Sequence, residues 1–448
     1  MTRRLWLDVA DLLRLAWPVM LSRAGILLMA FCDIVMLGRY GEGAVGVSNL
    51  GLSIFVPVLV LGIGLCSGMV PVISQAFGAG NWNECGRAWR RALIWGAWLS
   101  LVGSWIVWQG ESLLLLFGQN PDLAARGGDV AIALAPGLFA QVMFAVCAFY
   151  LEATRRPNFA MLAMLFANLI NLGLNWVFIF GNLGVPEMGA IGAAIASTLA
   201  RFAAFGAMLA FILWQPNPMA AGVRGPWETF WGPGGWRAGW PMRKLGLSGG
   251  LSGGFETIGF AAMTMFAGRL GSEALDAYSI SHNLVSTLFM VGLGLAIATG
   301  VRVGIAQGRG DPRDAALAGW VGFGTALGLM SLLGLATYLG RDWLAWIYTD
   351  DPVIQARAAG LFVFAALVFV PDTAQIVMGQ AVRALGDAWI PILCYIAAFT
   401  LLMIPMGWAM VNIFGFDERG LVIAVIAACM LATVSLAWRF HILTARTR

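Results

Sequence analysis

Residues 13–37 read LRLAWPVMLSRAGILLMAFCDIVML, an apolar stretch that decides the class of fold. A transmembrane helix needs about 20 apolar residues, and this stretch is long enough to cross a bilayer. It is too long for the core of a signal peptide and has no small-residue cleavage site, so we expect it to be a retained first span. Only Arg14, Arg23 and Asp33 carry formal charges within it.

The composition of the whole chain agrees with a membrane protein. Of 448 residues, 60% are hydrophobic and 11% are charged, and the mean hydropathy is +0.81. A soluble protein carries roughly 25% charged residues. The composition therefore excludes a soluble enzyme, a nucleic-acid-binding protein and a disordered scaffold. The six cysteines lack CxxC or Cys/His spacing, so we interpret them as small buried hydrophobic residues rather than disulfide or metal ligands.

Apolar windows separated by short polar, Gly- or Pro-containing segments predict an all-α integral membrane protein with twelve transmembrane helices. The longest polar interruption, with the motifs QPNP (215–218) and WGPGG (231–235), separates two six-helix lobes. We expect an N-terminal lobe at 1–213, a linker at 214–243 and a C-terminal lobe at 244–448. The predicted spans are 13–37, 46–74, 89–109, 130–152, 158–181, 189–213, 244–268, 278–306, 315–339, 353–380, 389–413 and 419–440.

The basic residues predict the orientation of the chain, because cytoplasmic loops of membrane proteins are enriched in Lys and Arg. One side carries Arg3, Arg4, Arg14, Arg87, Arg90, Arg91, Arg155, Arg156, Arg224, Arg237, Arg243, Lys244, Arg302, Arg309, Arg313, Arg383, Arg439, Arg446 and Arg448. The other side carries only Arg39, Arg126, Arg269, Arg341, Arg357 and Arg419. Both termini and the linker are therefore predicted to be cytoplasmic, in the inner membrane of a bacterium.

The two predicted lobes are related in sequence. The segment GRYGEGA at 38–44 aligns with GRLGSEA at 268–274, an offset of 230 residues, and the same offset pairs GAGN at 78–81 with GRGD at 308–311. Each lobe has an even number of spans, so both copies have the same orientation. We expect them to be related by a pseudo-two-fold axis along the membrane normal, as in transporters that bind substrate between parallel repeats.

Three acidic residues lie inside predicted spans, Asp33, Glu256 and Asp372, whereas Glu152 lies at the end of one. An ionised carboxylate at mid-span costs at least about 2.5–3.5 kcal/mol, so such residues usually face a cavity or a partner. Met29 and Met36 flank Asp33 at helical spacing, and Gln375 follows Asp372 on the same helical face. Pro371 leaves a carbonyl one turn earlier without its helical partner. This group could hold a proton or a small cation, although structural hydrogen bonds remain an alternative for each acid.

Other polar residues in the spans have two interpretations. Asn168, Asn171 and Asn175 share one helical face, with Asn182 beyond its end, and either join neighbouring helices or form a network with Asp33. The run SGGLSGG at 248–254 either packs closely against another helix or lets the helix bend beside Glu256. A polar cluster at the start of the eighth span contains Tyr278, Ser279, Ser281, His282, Asn283, Ser286 and Thr287, for which we expect a structural or cavity-lining role.

The motifs of common enzymes are missing from the sequence: it has no Walker loop, no HExxH and no GxSxG. The twelve spans, the repeat and the three buried acids together resemble the MATE family of multidrug and toxic compound extrusion transporters, in its NorM-like branch. The residues that carry this resemblance are Asp33 before the segment VMLG at 35–38, Glu256 and Asp372.

The resemblance implies ion-coupled antiport. Asp33, Glu256 and Asp372 would bind the coupling ion, H⁺ or Na⁺, with support from Asn171, Asn175 and Gln375, and no cofactor is expected. Substrate would contact these three acids and, in addition, Met29, Met36, Asp350 and Asp351. Pro18 and Pro371 would bend their helices. Val368 departs from relatives with an aromatic hydroxyl one turn before Asp372.

The expected function is efflux of amphiphilic organic cations by a monomer in the bilayer, by alternating access and with no nucleic acid involved. A flippase for lipid-linked oligosaccharides is an alternative from the same superfamily. It would need a basic central cavity for an anionic phosphate, and Arg23 and Arg201, which fall within spans, are its best support. An ion channel would require a repeated filter motif, which the sequence lacks.

Overall fold

The computed structural model describes residues 2–41, 43–214, 222–224 and 235–445. The QPNP motif and most of the WGPGG motif of the predicted linker lie outside these residues. Within the described ranges every regular element is helical. The helices are α1 (Thr2–Tyr40), α2 (Ala44–Cys66), α3 (Met69–Gly78), α4 (Trp82–Trp108), α5 (Gly110–Leu116), α6 (Pro121–Ala153), α7 (Asn158–Phe178), α8 (Gly189–Leu213), α9 (Trp240–Arg269), α10 (Ser272–Gly308), α11 (Pro312–Leu339), α12 (Arg341–Tyr348), α13 (Pro352–Ala384), α14 (Trp389–Tyr395), α15 (Ile404–Asn412) and α16 (Glu418–Ala445).

Irregular turns connect some of these helices. A π-helix, Ile396–Met403, joins α14 to α15 in one continuous rod. Single turns occur at Asn182–Gly184 and Gly235–Ala238.

The all-helical membrane architecture predicted from the sequence is confirmed. In the described part of the chain, 11 helical stretches are long and apolar enough to cross a membrane, counting α2 with α3 and α14 through α15 as single stretches. The remaining predicted span falls in α9, which has 30 residues. That helix is less apolar because the glycines and serines of 248–254 and Glu256 lie within it.

Several helices extend beyond the apolar windows, because polar residues cap their ends. The α6 helix begins at Pro121 rather than near 130, and the side chain of Asn120 accepts a hydrogen bond from the Asp122 amide at 3.0 Å. A proline at the first helical position needs no hydrogen-bond partner for its nitrogen, so Asn-Pro and Asp-Pro pairs start helices efficiently. The α13 helix likewise starts at Pro352 and ends at Ala384, four residues past the predicted span.

The internal repeat is also visible in local backbone structure. Asn81 caps α4 by accepting from the Glu84 amide at 3.1 Å, and Asp311, its counterpart at the offset of 230, caps α11 by accepting from the Asp314 amide at 3.0 Å. The preceding glycines have φ angles of 70° and 73°, a left-handed conformation that glycine adopts readily. The same turn therefore starts the third long helix of each repeat.

The chain divides into two compact units, residues 21–250 and residues 1–20 with 251–448. In the unit of 21–250, α6 packs against α2, α4 and α8, and every residue from Ala140 to Thr154 is buried. In the other unit, α13 packs against α10, α11 and α16, and every residue from Pro371 to Gly379 is buried. Each unit is thus built around one central helix.

The boundaries of the units differ from those of the predicted lobes, because they fall inside helices rather than in the linker. One boundary lies two residues after Pro18 in α1, and residues before it join the unit of 251–448, where Arg302 bonds the carboxylate of Asp8 at 2.7 Å. The other lies after Gly250 in α9.

The Gly-rich start of α9 packs closely within the unit of 21–250. A Cβ atom at Gly68 would lie 2.1 Å from the backbone nitrogen of Gly246, and one at Gly64 would lie 2.9 Å from the Cα atom of Gly250. By contrast, a Cβ at Gly254 would meet nothing within 4 Å. Close packing therefore accounts for the first part of the 248–254 run, and α9 continues as a helix through Glu256.

Candidate functional site

The unit of 21–250 contains a hydrogen-bonded network around Asp33. Its Oδ1 atom accepts from the side-chain amides of Asn171 at 3.1 Å and Asn175 at 2.6 Å, and its Oδ2 atom accepts from the Ser197 hydroxyl at 2.5 Å. The amide of Asn175 also donates to Asn171 Oδ1 at 3.2 Å. Three donors thus bond one carboxylate and fix its position. The network joins α1, α7 and α8.

The four asparagines of the sequence prediction divide into two groups. Asn171 and Asn175 are fully buried and bind Asp33. The amide of Asn168 instead donates to the Gly25 carbonyl at 3.0 Å, and that of Asn182 to the Trp176 carbonyl at 2.8 Å. Both interpretations of the asparagines therefore apply, to different members of the set.

The two span-interior arginines have different environments. Arg23 pairs with Glu152, with its Nη2 atom 3.1 Å from Oε1, and both side chains are almost fully buried. The Arg201 guanidinium lies over the Phe55 ring at 4.8 Å from its centroid, within electrostatic range of Asp33. Each arginine thus has a carboxylate of the same unit as its counter-charge.

The second network, in the other unit, brings Glu256 and Asp372 together through Gln375. The Gln375 amide donates to Glu256 Oε1 at 2.9 Å and to Asp372 Oδ1 at 3.2 Å. Asp372 is 2% exposed and Gln375 is fully buried. Two like charges on one amide repel each other, so the pair gains from binding a proton or a monovalent cation.

Neighbouring helices complete this second network. The Cys429 thiol of α16 lies 3.7 Å from Asp372 Oδ1, a weak donor in the site rather than only a buried hydrophobic residue. Tyr395, at the end of α14, is buried and within electrostatic range of both acids. The Pro371 carbonyl accepts from the Thr433 hydroxyl at 2.8 Å. Val368 is buried and supplies no side-chain oxygen.

Other predicted site residues lie elsewhere. Asp351 caps α13, with Oδ1 accepting from the Val353 amide at 2.8 Å, and it and Asp350 are exposed. Because a helix rises about 1.5 Å per residue, Asp351 is roughly 30 Å along α13 from Asp372. Met29 is buried, while Met36 packs against a cluster around Leu37. No three His, Cys, Asp or Glu side chains of the described ranges form a metal-binding group.

Aromatic side chains contact part of the polar cluster at the start of α10. His282 lies 5.1 Å from Phe260 and 6.3 Å from Tyr278, between ring centroids. The Tyr348 hydroxyl of α12, outside the spans, donates to Asn283 Oδ1 at 3.0 Å, and burial raises the pKa of this phenol.

Sequence reasoning missed Ser197, Arg383, Tyr395 and Cys429. Ser197 lies in a helix of small residues, where one hydroxyl gives no periodic signal. Arg383 counted as a cytoplasmic residue because the predicted span ended at 380, whereas the structure buries it inside α13. Tyr395 and Cys429 lie in otherwise apolar helices, so only the packing of those helices against α13 reveals their place.

A family model named MatE matches residues 18–177 and 251–409. The chain belongs to the MatE family. Among its relatives, a probable multidrug resistance protein NorM from Caulobacter vibrioides is 34% identical over 98% of this chain and 93% of its own length. A protein of the same description from Mesorhizobium japonicum is 32% identical over 95% of this chain and 93% of its own length.

Solved structures agree on the MatE fold. An outward-facing multidrug resistance MATE family transporter of the MOP superfamily matches 98% of this chain and 96% of its own length, with a TM-score of 0.88 and 19% sequence identity. The predicted MATE resemblance and its NorM-like branch are therefore confirmed, and with them the twelve-span fold class. MatE proteins are transporters rather than enzymes, and this chain is a multi-pass bacterial membrane protein.

Proposed function

We propose that this MatE protein exports amphiphilic organic cations across the bacterial inner membrane in exchange for inward protons, by alternating access. The chain is a multidrug efflux transporter, as its family and its NorM relatives indicate. The observation that carries the proposed coupling is the buried amide of Gln375, which donates to Glu256 and Asp372 at once. Taking up a cation there relieves the repulsion between the carboxylates, and releasing it restores the negative charge.

The proton is the coupling ion that these surroundings favour. Sodium requires several oxygen ligands, whereas the groups closest to the two carboxylates are an amide N–H and a thiol. The aliphatic Val368 offers no further oxygen one turn away. A proton needs only one carboxylate oxygen, and binding it removes one of the two like charges.

Asp33 is proposed as the main attraction for the cationic substrate in its own unit, with Met29 and Met36 as apolar contacts. Asp350 and Asp351 are proposed as substrate contacts of the other unit. The amides of Asn171 and Asn175 donate hydrogen bonds to the Asp33 carboxylate and orient it. Methionine side chains adapt to varied apolar shapes, which suits a broad range of substrates. Pro18 and Pro371 are proposed bending points, the protein is proposed to work as a monomer, and both termini are proposed to be cytoplasmic.

The flippase alternative is not favoured by the arrangement of charges. A lipid phosphate needs an available cation, yet Arg23 is paired with Glu152 and the Arg201 guanidinium lies over the Phe55 ring. The relatives described as multidrug resistance proteins also favour drug efflux.

Ethidium efflux from vesicles tests the proposal under separately imposed pH and Na⁺ gradients. We expect a pH gradient alone to drive efflux, and Glu256→Gln and Asp372→Asn each to abolish this dependence. Glu111→Gln is the matched control, because it removes an exposed carboxylate in α5. Efflux driven only by Na⁺ would overturn the choice of ion, and undiminished efflux in both site variants would overturn the coupling site.

A further inference from the structure

Arg383 is a buried cation that the coupling mechanism above does not use. It lies near the end of α13 and is 6% exposed. Its Nε and Nη1 atoms are buried without a hydrogen-bond partner in the part of the chain that the structure describes. A buried guanidinium is costly unless an opposite charge compensates it. The position of that opposite charge therefore indicates what Arg383 does.

The Arg383 side chain runs back along α13, toward the coupling site. A Cβ atom at Gly379 would lie 3.3 Å from its Nη2 atom and 3.7 Å from Cζ, so the guanidinium covers the face that Gly379 leaves open. Helical side chains point toward the N-terminal end of their helix. With a rise of about 1.5 Å per residue, this places the charge roughly 6 Å along the axis from Gln375 and 10 Å from Asp372.

The groups that act on this guanidinium belong to the coupling site. Arg383 interacts electrostatically with Glu256 of α9 and with Tyr395 of α14. The charged groups that act on Glu256 are Asp372 and Arg383. The Oε1 atom of Gln375, on the same face of α13, is also buried without a partner in the described residues. Polar atoms without partners thus lie on either side of Gly379 along α13, at Gln375 and at Arg383.

The formal charges of this group do not cancel, unlike those around Arg23 and Arg201. Arg23 with Glu152, and Arg201 with Asp33, each sum to zero. Glu256 and Asp372 ionised, together with Arg383, sum to one negative charge. A single monovalent cation neutralises this group, whereas the two carboxylates without Arg383 would need two.

We propose that Arg383 is a built-in counter-cation of the coupling site, which limits the exchange to one proton per transport cycle. The inference rests on the proposed antiport function and adds its stoichiometry. Arg383 acts through the two carboxylates, so it is a positioning residue rather than a ligand of the transported ion. For a monovalent substrate, one positive charge then enters for each one that leaves, and the exchange is electroneutral.

The test measures the equilibrium ethidium gradient in proteoliposomes of the full-length protein, at a fixed pH gradient and with membrane potentials set by K⁺ and valinomycin. For the unmodified protein we expect no change with potential. Arg383→Gln should require two protons, and the ethidium gradient should then change about 50-fold per 100 mV, because one net charge crosses the membrane. Arg383→Lys keeps the charge and should keep the exchange independent of potential.

Two further variants separate electrostatics from folding. Arg383→Gln combined with Asp372→Asn restores one negative charge and should restore independence of potential, which a purely structural role would not predict. Arg309→Gln, at an exposed arginine, is the matched control and should behave like the unmodified protein.

The possible outcomes separate the role of Arg383 from the proposed antiport function. A 50-fold change per 100 mV in the unmodified protein, or potential-independent exchange by Arg383→Gln, overturns the role of Arg383. If Arg383→Gln fails to fold, the unmodified protein and Arg383→Lys still decide, because a change of the ethidium gradient with potential in either one overturns the proposal. Loss of any dependence on the pH gradient would instead overturn the proposed function.

Discussion

The buried pair of Arg23 and Glu152 gives a stability prediction whose magnitude follows from its burial. The side chains are 6% and 1% exposed, and Nη2 of Arg23 lies 3.1 and 3.3 Å from the two carboxylate oxygens. Removing one partner of such a pair costs about 3–5 kcal/mol, because the other charge stays buried without compensation. We therefore expect Glu152→Leu to lower the free energy of unfolding by about 3–5 kcal/mol.

Replacing both partners should recover most of this loss. Apolar residues of similar volume in place of a buried ion pair are often neutral or stabilising by about 1–4 kcal/mol. Methionine is a suitable substitute for Arg23, because its flexible chain can still pack on the Phe149 ring, now 5.3 Å from the guanidinium carbon. The Arg23→Met/Glu152→Leu variant should therefore be at least as stable as the unmodified protein.

Denaturant titration of the purified protein in detergent measures both effects, and ethidium efflux measures function in parallel. We expect the double variant to transport normally, since the pair compensates itself inside one unit. A double variant as unstable as Glu152→Leu would refute the electrostatic reasoning. A stable double variant without efflux would show that the pair takes part in transport.

Two further predictions concern the Asp33 network and the start of α9. Ser197→Ala removes the 2.5 Å hydrogen bond to Asp33. Since a hydrogen bond to a charged group is worth about 1.5–3 kcal/mol, we expect ethidium affinity to fall at least tenfold. Asn168→Ala, whose amide does not reach Asp33, is the control, and equal ethidium affinities in both variants would contradict the network. Gly68→Ala places a Cβ against the Gly246 backbone and should sharply reduce the yield of folded protein in size-exclusion chromatography. Gly206→Ala, where a Cβ meets nothing within 4 Å, should leave that yield unchanged, and similar yields from the two variants would contradict the close packing.

The sequence predicts features that one helix determines and misses those that depend on packing between helices. The spacing of Asn171 and Asn175, and of Asp372 and Gln375, places each pair on one helical face, and the structure has both pairs in hydrogen-bonded networks. Ser197 of α8 reaches Asp33 of α1 and Asn171 of α7 only because the three helices meet there. The sequence contains no periodic signal for that meeting.

Charged residues near span ends are a second feature that the sequence alone predicts poorly. Hydropathy windows end where charges begin, so the sequence placed Glu152 at the end of its predicted span and Arg383 beyond the end of its own. The structure continues both helices and buries both side chains, because each charge has an opposite charge within its own unit. A charge near the end of an apolar window is therefore ambiguous until its partner on another helix is known.

The π-helix Ile396–Met403 has a consequence for the comparison of this chain with its relatives. An α-helical turn bonds residue i to i+4, whereas a π-helical turn bonds residue i to i+5. The wider turns can therefore take in an additional residue without forming a loop. A relative with a regular helix here would align without a gap up to Tyr395 and then need a deletion before Ile404. Ungapped alignments would therefore assign the wrong counterparts to residues beyond the wide turns, although the helix shows no visible insertion.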